Sequence, residues 1–142
     1  MTELAWGRVV LVRVGGRLLA VPAHHIREVF ERGLPTRLPL SSPFLLGLLP
    51  VRGRVLALVN LAGLVQEPEP DASLTLLLDL SSGSVACPVA EVLGFGEVAV
   101  PADTSTTPDL LTEVPLSSGQ QAALLNVAAL ERAMQAHLIS LV

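Results

Sequence analysis

Short apolar stretches separated by glycine or serine turns are the main pattern along the chain. Two of them, Val9–Val14 and Leu18–Val21, flank a Gly-Gly turn, and a second pair, Leu74–Leu80 and Val85–Cys87, flanks a Ser-Ser-Gly turn. Apolar runs this short, bounded by such turns, are typical of β-strands, and two strands joined by a tight glycine turn form a hairpin. The pattern therefore predicts two hairpins and an all-β fold built from small barrels.

A proline-punctuated segment follows each hairpin and leads to a strongly apolar strand with an asparagine directly behind it. The strands are Val55–Val59 and Gln121–Leu125, and the asparagines are Asn60 and Asn126. Asparagine is a preferred helix N-cap because its side-chain oxygen accepts a backbone N–H of the first turn. A short helix is therefore expected after each strand. The two predicted helices cover residues 61–65 and 127–136.

The two hairpin regions are related by an offset of 66 residues. At this offset Pro22 falls on Pro88 and Gly53 falls on Gly119, and prolines and glycines are the residues that fix backbone shape. We interpret the pattern as an internal duplication, with a polar, proline-rich linker at residues 66–71.

Length and composition fit a single domain. The chain has 142 residues, of which 51% are apolar, and this is enough to bury a full core. No apolar run reaches the roughly 18 residues of a membrane-spanning helix, and Arg13 and Arg17 interrupt the first apolar stretch, unlike in a signal peptide. We therefore expect one cytoplasmic domain over residues 1–142, with internal halves at about 8–66 and 74–136.

Charge is distributed unevenly along the chain. Residues 1–54 contain eight Arg and three acidic residues, a balance of +5, whereas residues 55–142 contain one Arg and ten acidic residues, a balance of −9. A bipolar pattern suits docking to two protein partners better than coating a nucleic acid, with chance clustering as the alternative interpretation. The absence of Tyr, with only three Phe and one Trp, also argues against nucleic-acid binding, which needs aromatic stacking platforms.

The sequence contains no recognisable catalytic or cofactor motif. It has no phosphate-binding or dinucleotide-binding glycine loop and no nucleophile elbow. The adjacent His24 and His25 lack an acidic ligand cluster, which argues against a metal site. The Asp-Thr-Ser loop that begins at Asp103 is similar to that of aspartic proteases, but their mechanism needs two carboxylates, and the matching first-half residue is Arg37. We expect neither an enzyme nor a cofactor.

One family resemblance covers about residues 8–136. The segments that carry it are Gly16–Pro22 with Ile26–Val29, similar to a glycine, an apolar strand, a proline and V-x-E-V; Gly47–Val55, similar to G-V-x-N-L-R-G-x-V; and Val59–Leu61, in the place of V-D-L. These are motifs of the CheW-like chemotaxis coupling proteins. The resemblance is specific in the first half of the chain and looser in the second.

This resemblance implies a fold and a function. The fold is two intertwined five-stranded β-barrels related by a pseudo-twofold axis, with short helices including a C-terminal one. The function is that of a cytoplasmic, non-enzymatic adaptor between the tip of a methyl-accepting chemoreceptor and the regulatory domain of a CheA-type histidine kinase. Departures from the family pattern at Pro50, Asn60, Ala62 and Ala90 point to a divergent member, in a pilus-linked or other alternative pathway.

In the family, the receptor tip packs near the Arg-Gly turn and the V-x-E segment. Carried over to this sequence, the implied receptor-binding residues are Ile26, Glu28, Val29, Gly47, Arg52 and Gly53. Arginine is favoured at interface hot spots because its planar head makes several directed hydrogen bonds. A simple surface ion pair with Glu28 is the competing interpretation of Arg52. For the whole chain, the alternative function is a small duplicated β-barrel hydrolase or ligand sensor with a site between the halves.

Overall fold

A computed structural model of the chain describes residues 4–31, 36–37, 45–61, 74–81, 83–101 and 110–140. The strands in these residues are β1 Leu4–Val14, β2 Arg17–Pro22, β3 Ile26–Glu31, β4 Thr36–Arg37, β5 Leu45–Val51, β6 Arg54–Val59, β7 Leu74–Leu80, β8 Gly83–Val89, β9 Glu91–Pro101, β10 Leu111–Pro115 and β11 Gln121–Leu125. A 3-10 turn covers Ala23–His25, and the helix α1 covers Val127–Ser140. The predicted all-β architecture with a C-terminal helix is confirmed.

The strands form two sheets, and each sheet combines strands from both halves of the chain. One sheet has five strands in the order β10-β11-β2-β1-β9, and the other has six in the order β3-β7-β8-β6-β5-β4. Most neighbours are antiparallel, but β2 and β11 are parallel, as are β6 and β8. The first and second parts of the chain are therefore interleaved, because a strand from one part always completes the sheet of the other.

Strand order and register recur at the 66-residue offset that relates the sequence repeats. The parallel pair Leu58 and Ala86 in the six-stranded sheet corresponds to the pair Leu124 and Ala20 in the five-stranded one. The β-bulge of β3 against β7 also recurs at the matching place in β9 against β1. The backbone hydrogen-bonding pattern is therefore nearly the same in the two sheets. The division into halves at about 8–66 and 74–136 stays a prediction.

Neither sheet is closed into a barrel by a full strand ladder in the part of the chain that the structure describes. The five-stranded sheet curls until its edges touch at one bridge, between Val98 and Leu116, next to a hydrogen bond from Ser117 N to Glu97 O of 3.0 Å. The six-stranded sheet carries the two-residue β4 as an additional edge strand. The barrels implied by the family resemblance are thus two curled, open sheets.

Burial explains why these segments are strands. The central strands β7 and β8 are apolar over consecutive residues because both of their faces are covered, whereas the edge strand β3 alternates between half-buried and exposed positions. The main core cluster joins side chains of both sheets and of α1. Cys87 lies in this cluster, and burial raises the pKa of its thiol to about 12. This cysteine is a core residue.

The helix α1 begins as the sequence predicts. The Asn126 side chain accepts a hydrogen bond from the backbone N–H of Ala129 through Oδ1, at 3.1 Å, which is the geometry of an N-cap. The corresponding helix predicted at residues 61–65 lies, apart from Leu61, outside the described residues.

Candidate partner-binding surface

The hairpin between β5 and β6 turns through two residues, Arg52 and Gly53. Their φ angles are 47° and 79°, and a two-residue hairpin turn with positive φ at both positions is of type I′. Gly53 adopts this conformation at no steric cost. Arg52 adopts it at a steric cost, because a residue with a Cβ is disfavoured there, and it is the one non-glycine residue with positive φ among the described residues. The turn holds the Arg52 backbone in a strained conformation while 69% of its side chain remains exposed.

The guanidinium of Arg52 forms an ion pair with the carboxylate of Glu28, through Nη2 and Oε1. Glu28 lies in β3, which is one edge of the six-stranded sheet, whereas the β5–β6 hairpin lies towards the other edge. The ion pair therefore connects two distant strands across the curl of this sheet. Since only 28% of the Glu28 side chain is exposed, the carboxylate is the partly covered member of the pair and the guanidinium is the accessible one.

The other predicted site residues of β3 do not all lie on one face. Ile26 and Glu28 occupy half-buried positions of the strand, and Ile26 packs against the main core cluster. Val29 is 40% exposed and lies on the face opposite to Glu28, together with Glu31. The structure thus brings Glu28 to Arg52, whereas Val29 presents its side chain on the other side of the edge strand.

Gly47 lies apart from the turn. It is buried in β5, where it pairs with Leu58 on one side and Arg37 on the other. Arg52 follows it by five positions along the chain, which is about 16 Å at the usual rise per residue. Its position favours a role in packing the β4–β5–β6 ladder over direct participation in a surface centred on Arg52.

A second exposed apolar surface was not predicted from the sequence. Phe95 and Leu93 of β9 are 64% and 45% exposed, and the Arg8 guanidinium carbon lies 4.2 Å from the centre of the Phe95 ring, a cation–π contact. The exposure of these two side chains could have been inferred from the sequence, because Leu93 and Phe95 occupy the same alternate positions of β9 as the exposed Glu91 and Glu97. The contact with Arg8 depends on the pairing of β9 with β1, which no local pattern indicates.

The histidine pair lies in the 3-10 turn. The rings of His24 and His25 are close, with centroids 4.2 Å apart, and not widely separated as neighbouring side chains are on a regular helix or strand. Burial, followed by the neighbouring His25, lowers the pKa of His24, and His25 Nδ1 lies 3.1 Å from the backbone oxygen of Asp79. In the described ranges, no group of three or more His, Cys, Asp or Glu is arranged to hold a metal.

Two other sequence predictions concern a protease-like loop and membrane-spanning helices. The Asp-Thr-Ser loop that begins at Asp103 lies outside the residues that the structure describes. Within those residues, no helix has both the length and the apolar character needed to cross a membrane.

Comparison with known proteins identifies the family. The model of the CheW-like domain family matches residues 8–134, whereas no curated protein matches the chain. Among solved structures, the scaffolding protein TtCheW from Thermoanaerobacter tengcongensis has a TM-score of 0.66 with 13% sequence identity, and the match covers 86% of this chain and 90% of that one. At this identity the structural match shows a shared fold. Because the family model spans most of its length, the chain belongs to the CheW-like domain family.

Proposed function

We propose that the chain is a non-enzymatic cytoplasmic adaptor that couples the tip of a methyl-accepting chemoreceptor to the regulatory domain of a CheA-type histidine kinase. Membership of the CheW-like family supports an adaptor role in chemosensory signalling. The departures from the family pattern at Pro50, Asn60, Ala62 and Ala90 further suggest a pilus-linked or other alternative pathway.

The observation that carries the receptor-binding part of this proposal is the conformation of Arg52. A strained backbone at an exposed residue is a reason to suspect function, because the protein would be more stable with another residue there. Arg52 also occupies the family's Arg-Gly motif, and its partner Glu28 occupies the V-x-E motif. We propose that this pair and the neighbouring Gly53 form the centre of the receptor-binding region. Ile26 and Val29 contribute from the edge strand β3, and Gly47 acts by shaping the hairpin.

Binding of a receptor-tip fragment to the Arg52→Asn variant tests this site. Asparagine tolerates positive φ, so the substitution removes the guanidinium and keeps the turn. Truncation of a hot-spot arginine costs about 2 kcal/mol of binding or more, which is about a thirtyfold weaker affinity. We therefore expect the dissociation constant, measured by calorimetry, to rise about thirtyfold.

Arg54→Asn is the matched control. Arg54 is exposed and lies two residues from Arg52 at the start of β6, so its substitution makes the same change of charge beside the turn. The dissociation constant of this variant should stay within about twofold of wild type, the range of a rim contact. An Arg52→Asn variant that also stays within that range would show that Arg52 belongs only to the surface ion pair.

A further inference from the structure

The uneven charge along the chain has a counterpart in the contacts between the interleaved strands. Here the first half denotes the strands β1 to β6, and the second half denotes β7 to β11 with α1. Four Arg side chains of the first half contact side chains of the second half. The pairs are Arg8 with Phe95, Arg13 with Glu91, Arg17 with Glu113 and Arg27 with Asp79.

Two of the three ion pairs join strands of different halves that hydrogen-bond directly, and the third spans one intervening strand. Arg13 of β1 is opposite Glu91 of β9 in the strand register, with Nε 3.3 Å from Oε1. Arg27 lies at the bulge of β3 and reaches Asp79 of β7 at 3.1 Å. The third pair, already named, reaches from β2 across β11 to β10. In each pair the cation comes from the first half and the anion from the second.

Backbone hydrogen bonding alone does not distinguish the two halves from one another. Strand order and register recur at the 66-residue offset, so a half could dock in the same register onto the equivalent half of a second copy. Two first halves would then place Arg27 opposite Arg13, because Arg13 is the equivalent of Asp79. Two second halves would place Glu91 opposite Asp79. Like-half docking loses the ion pairs and gains contacts between like charges.

We propose that the opposite charges of the two halves form a pairing device, which selects docking of a first half onto a second half over docking of two like halves. Each pair is exposed, with 42–58% of every side chain accessible, so each adds little to total stability. The ratio between the two docking arrangements depends on the difference in their free energies. Attraction when unlike halves dock and repulsion when like halves dock both increase this difference, as in other interfaces that use charge for specificity. This assignment is independent of the proposed adaptor function.

Charge reversal in the 142-residue chain tests this proposal. The variant Arg13→Glu with Arg17→Glu converts two attractive contacts into repulsive ones, and it makes position 13 attractive to Arg27 in a docked pair of first halves. After refolding from urea at low salt, we expect the ratio of oligomer to monomer, measured by size-exclusion chromatography with light scattering, to rise about five- to thirtyfold over wild type. At about 1 M salt the increase should largely disappear, because exposed charges are screened.

Rebuilding the two ion pairs with their charges exchanged distinguishes an effect of ion pairing from an effect of net charge. Adding Glu91→Arg and Glu113→Arg to the same variant rebuilds both ion pairs, and the oligomer ratio should return to within about twofold of wild type. The control Arg54→Glu changes the charge of the first half at an exposed position outside these pairs, and it should leave the ratio unchanged. The proposal is overturned if the double variant refolds with the wild-type ratio of oligomer to monomer, or if the quadruple variant does not return to that ratio.

Discussion

Arg52 and Glu28 are joined by an ion pair although the hairpin that carries Arg52 does not hydrogen-bond to the strand of Glu28. Glu28 is in the edge strand β3, and Arg52 is at the tip of the β5–β6 hairpin, so the contact exists only because the six-stranded sheet curls. The sequence left two interpretations of Arg52 open, a partner contact and a surface pair with Glu28. The structure contains the ion pair. Because both partners belong to the same chain, the contribution of the pair to stability can be measured in the free protein, separately from partner binding.

A double-mutant cycle with Arg52→Gln and Glu28→Gln should give a coupling free energy of about 0.3–1 kcal/mol, the range of partly exposed pairs. The measurement is urea unfolding of the four proteins at low ionic strength. Since 69% of the Arg52 side chain is exposed, the coupling should fall in about 1 M salt. A coupling of zero at low salt would mean that the contact does not persist in solution.

Backbone strain at Arg52 gives a second prediction. In the Glu28→Gln background the ion pair is already lost, so Arg52→Asn changes mainly the cost of positive φ. We expect this substitution to raise the free energy of unfolding by about 0.5–1 kcal/mol, because asparagine is favoured in type I′ turns. The same substitution at Arg54, which has no positive φ, should not stabilise the protein. Destabilisation by Arg52→Asn in this background would contradict the assigned turn.

The strands of the two hairpins, and the apolar strands β6 and β11, were predictable because their signals are local. Glycine turns and short apolar runs located the hairpins, and Asn126 located the start of α1. The pairing of β1 with β9 and of β3 with β7 was not predictable from these signals, because it joins residues far apart in the chain. From the sequence alone, the charge pattern therefore indicates either two outside partners or chance clustering, whereas in the structure Arg13 and Arg27 contact acids of the same molecule.

The candidate site was predictable in part for the same reason. The Arg-Gly turn is a local feature, and the solvent exposure expected for Arg52 is present. Successive side chains of a β-strand point to opposite faces, so the sequence already indicates that Glu28 and Val29 of β3 lie on different faces. The family motif alone places both residues in one site. The proximity of Arg8 to Phe95 depends on strand order, and no spacing in the sequence encodes it.

The carboxyl group of Asp79 should make stability depend on pH. It accepts hydrogen bonds from Ser84 Oγ at 2.8 Å and from Arg27 Nε at 3.1 Å. The Ser84 hydroxyl, and after it Arg27, hold the pKa of Asp79 below its ordinary value of 3.8. A lowered carboxyl pKa adds stability above the ordinary value, and this contribution is lost as the pH falls through the lower pKa of the folded state.

We therefore expect Asp79→Asn to be less stable than wild type at pH 7 and equally stable at a pH below the pKa of the folded protein. Urea unfolding in steps from neutral to strongly acidic pH measures the difference. Ser84→Ala should reproduce part of the same pH dependence, because it removes the largest cause of the lowered pKa. A difference between Asp79→Asn and wild type that is constant over the whole range would contradict this assignment.

Thr75 is a buried polar residue in β7 whose hydroxyl has no hydrogen-bond partner among the described residues. The residue at the equivalent position of β1 is Val9, which is also buried, and both face a proline in the neighbouring strand. Valine has nearly the same shape as threonine without the hydroxyl. Thr75→Val should thus raise the free energy of unfolding by about 1 kcal/mol or more, since an unsatisfied hydroxyl is removed from the core. Thermal melting checks this, with Thr75→Ser, expected to destabilise, as the control.

A three-component capture experiment tests most directly the proposal that the chain joins a receptor to a kinase. A receptor-tip fragment is immobilised, and retention of the isolated kinase regulatory domain is measured by surface plasmon resonance with and without the chain. We expect little retention without the chain, and retention that rises with the concentration of the chain until both partners are bound through it. Retention of the kinase domain that does not change when the chain is added, under conditions where receptor and kinase fragments are folded, would contradict the adaptor function.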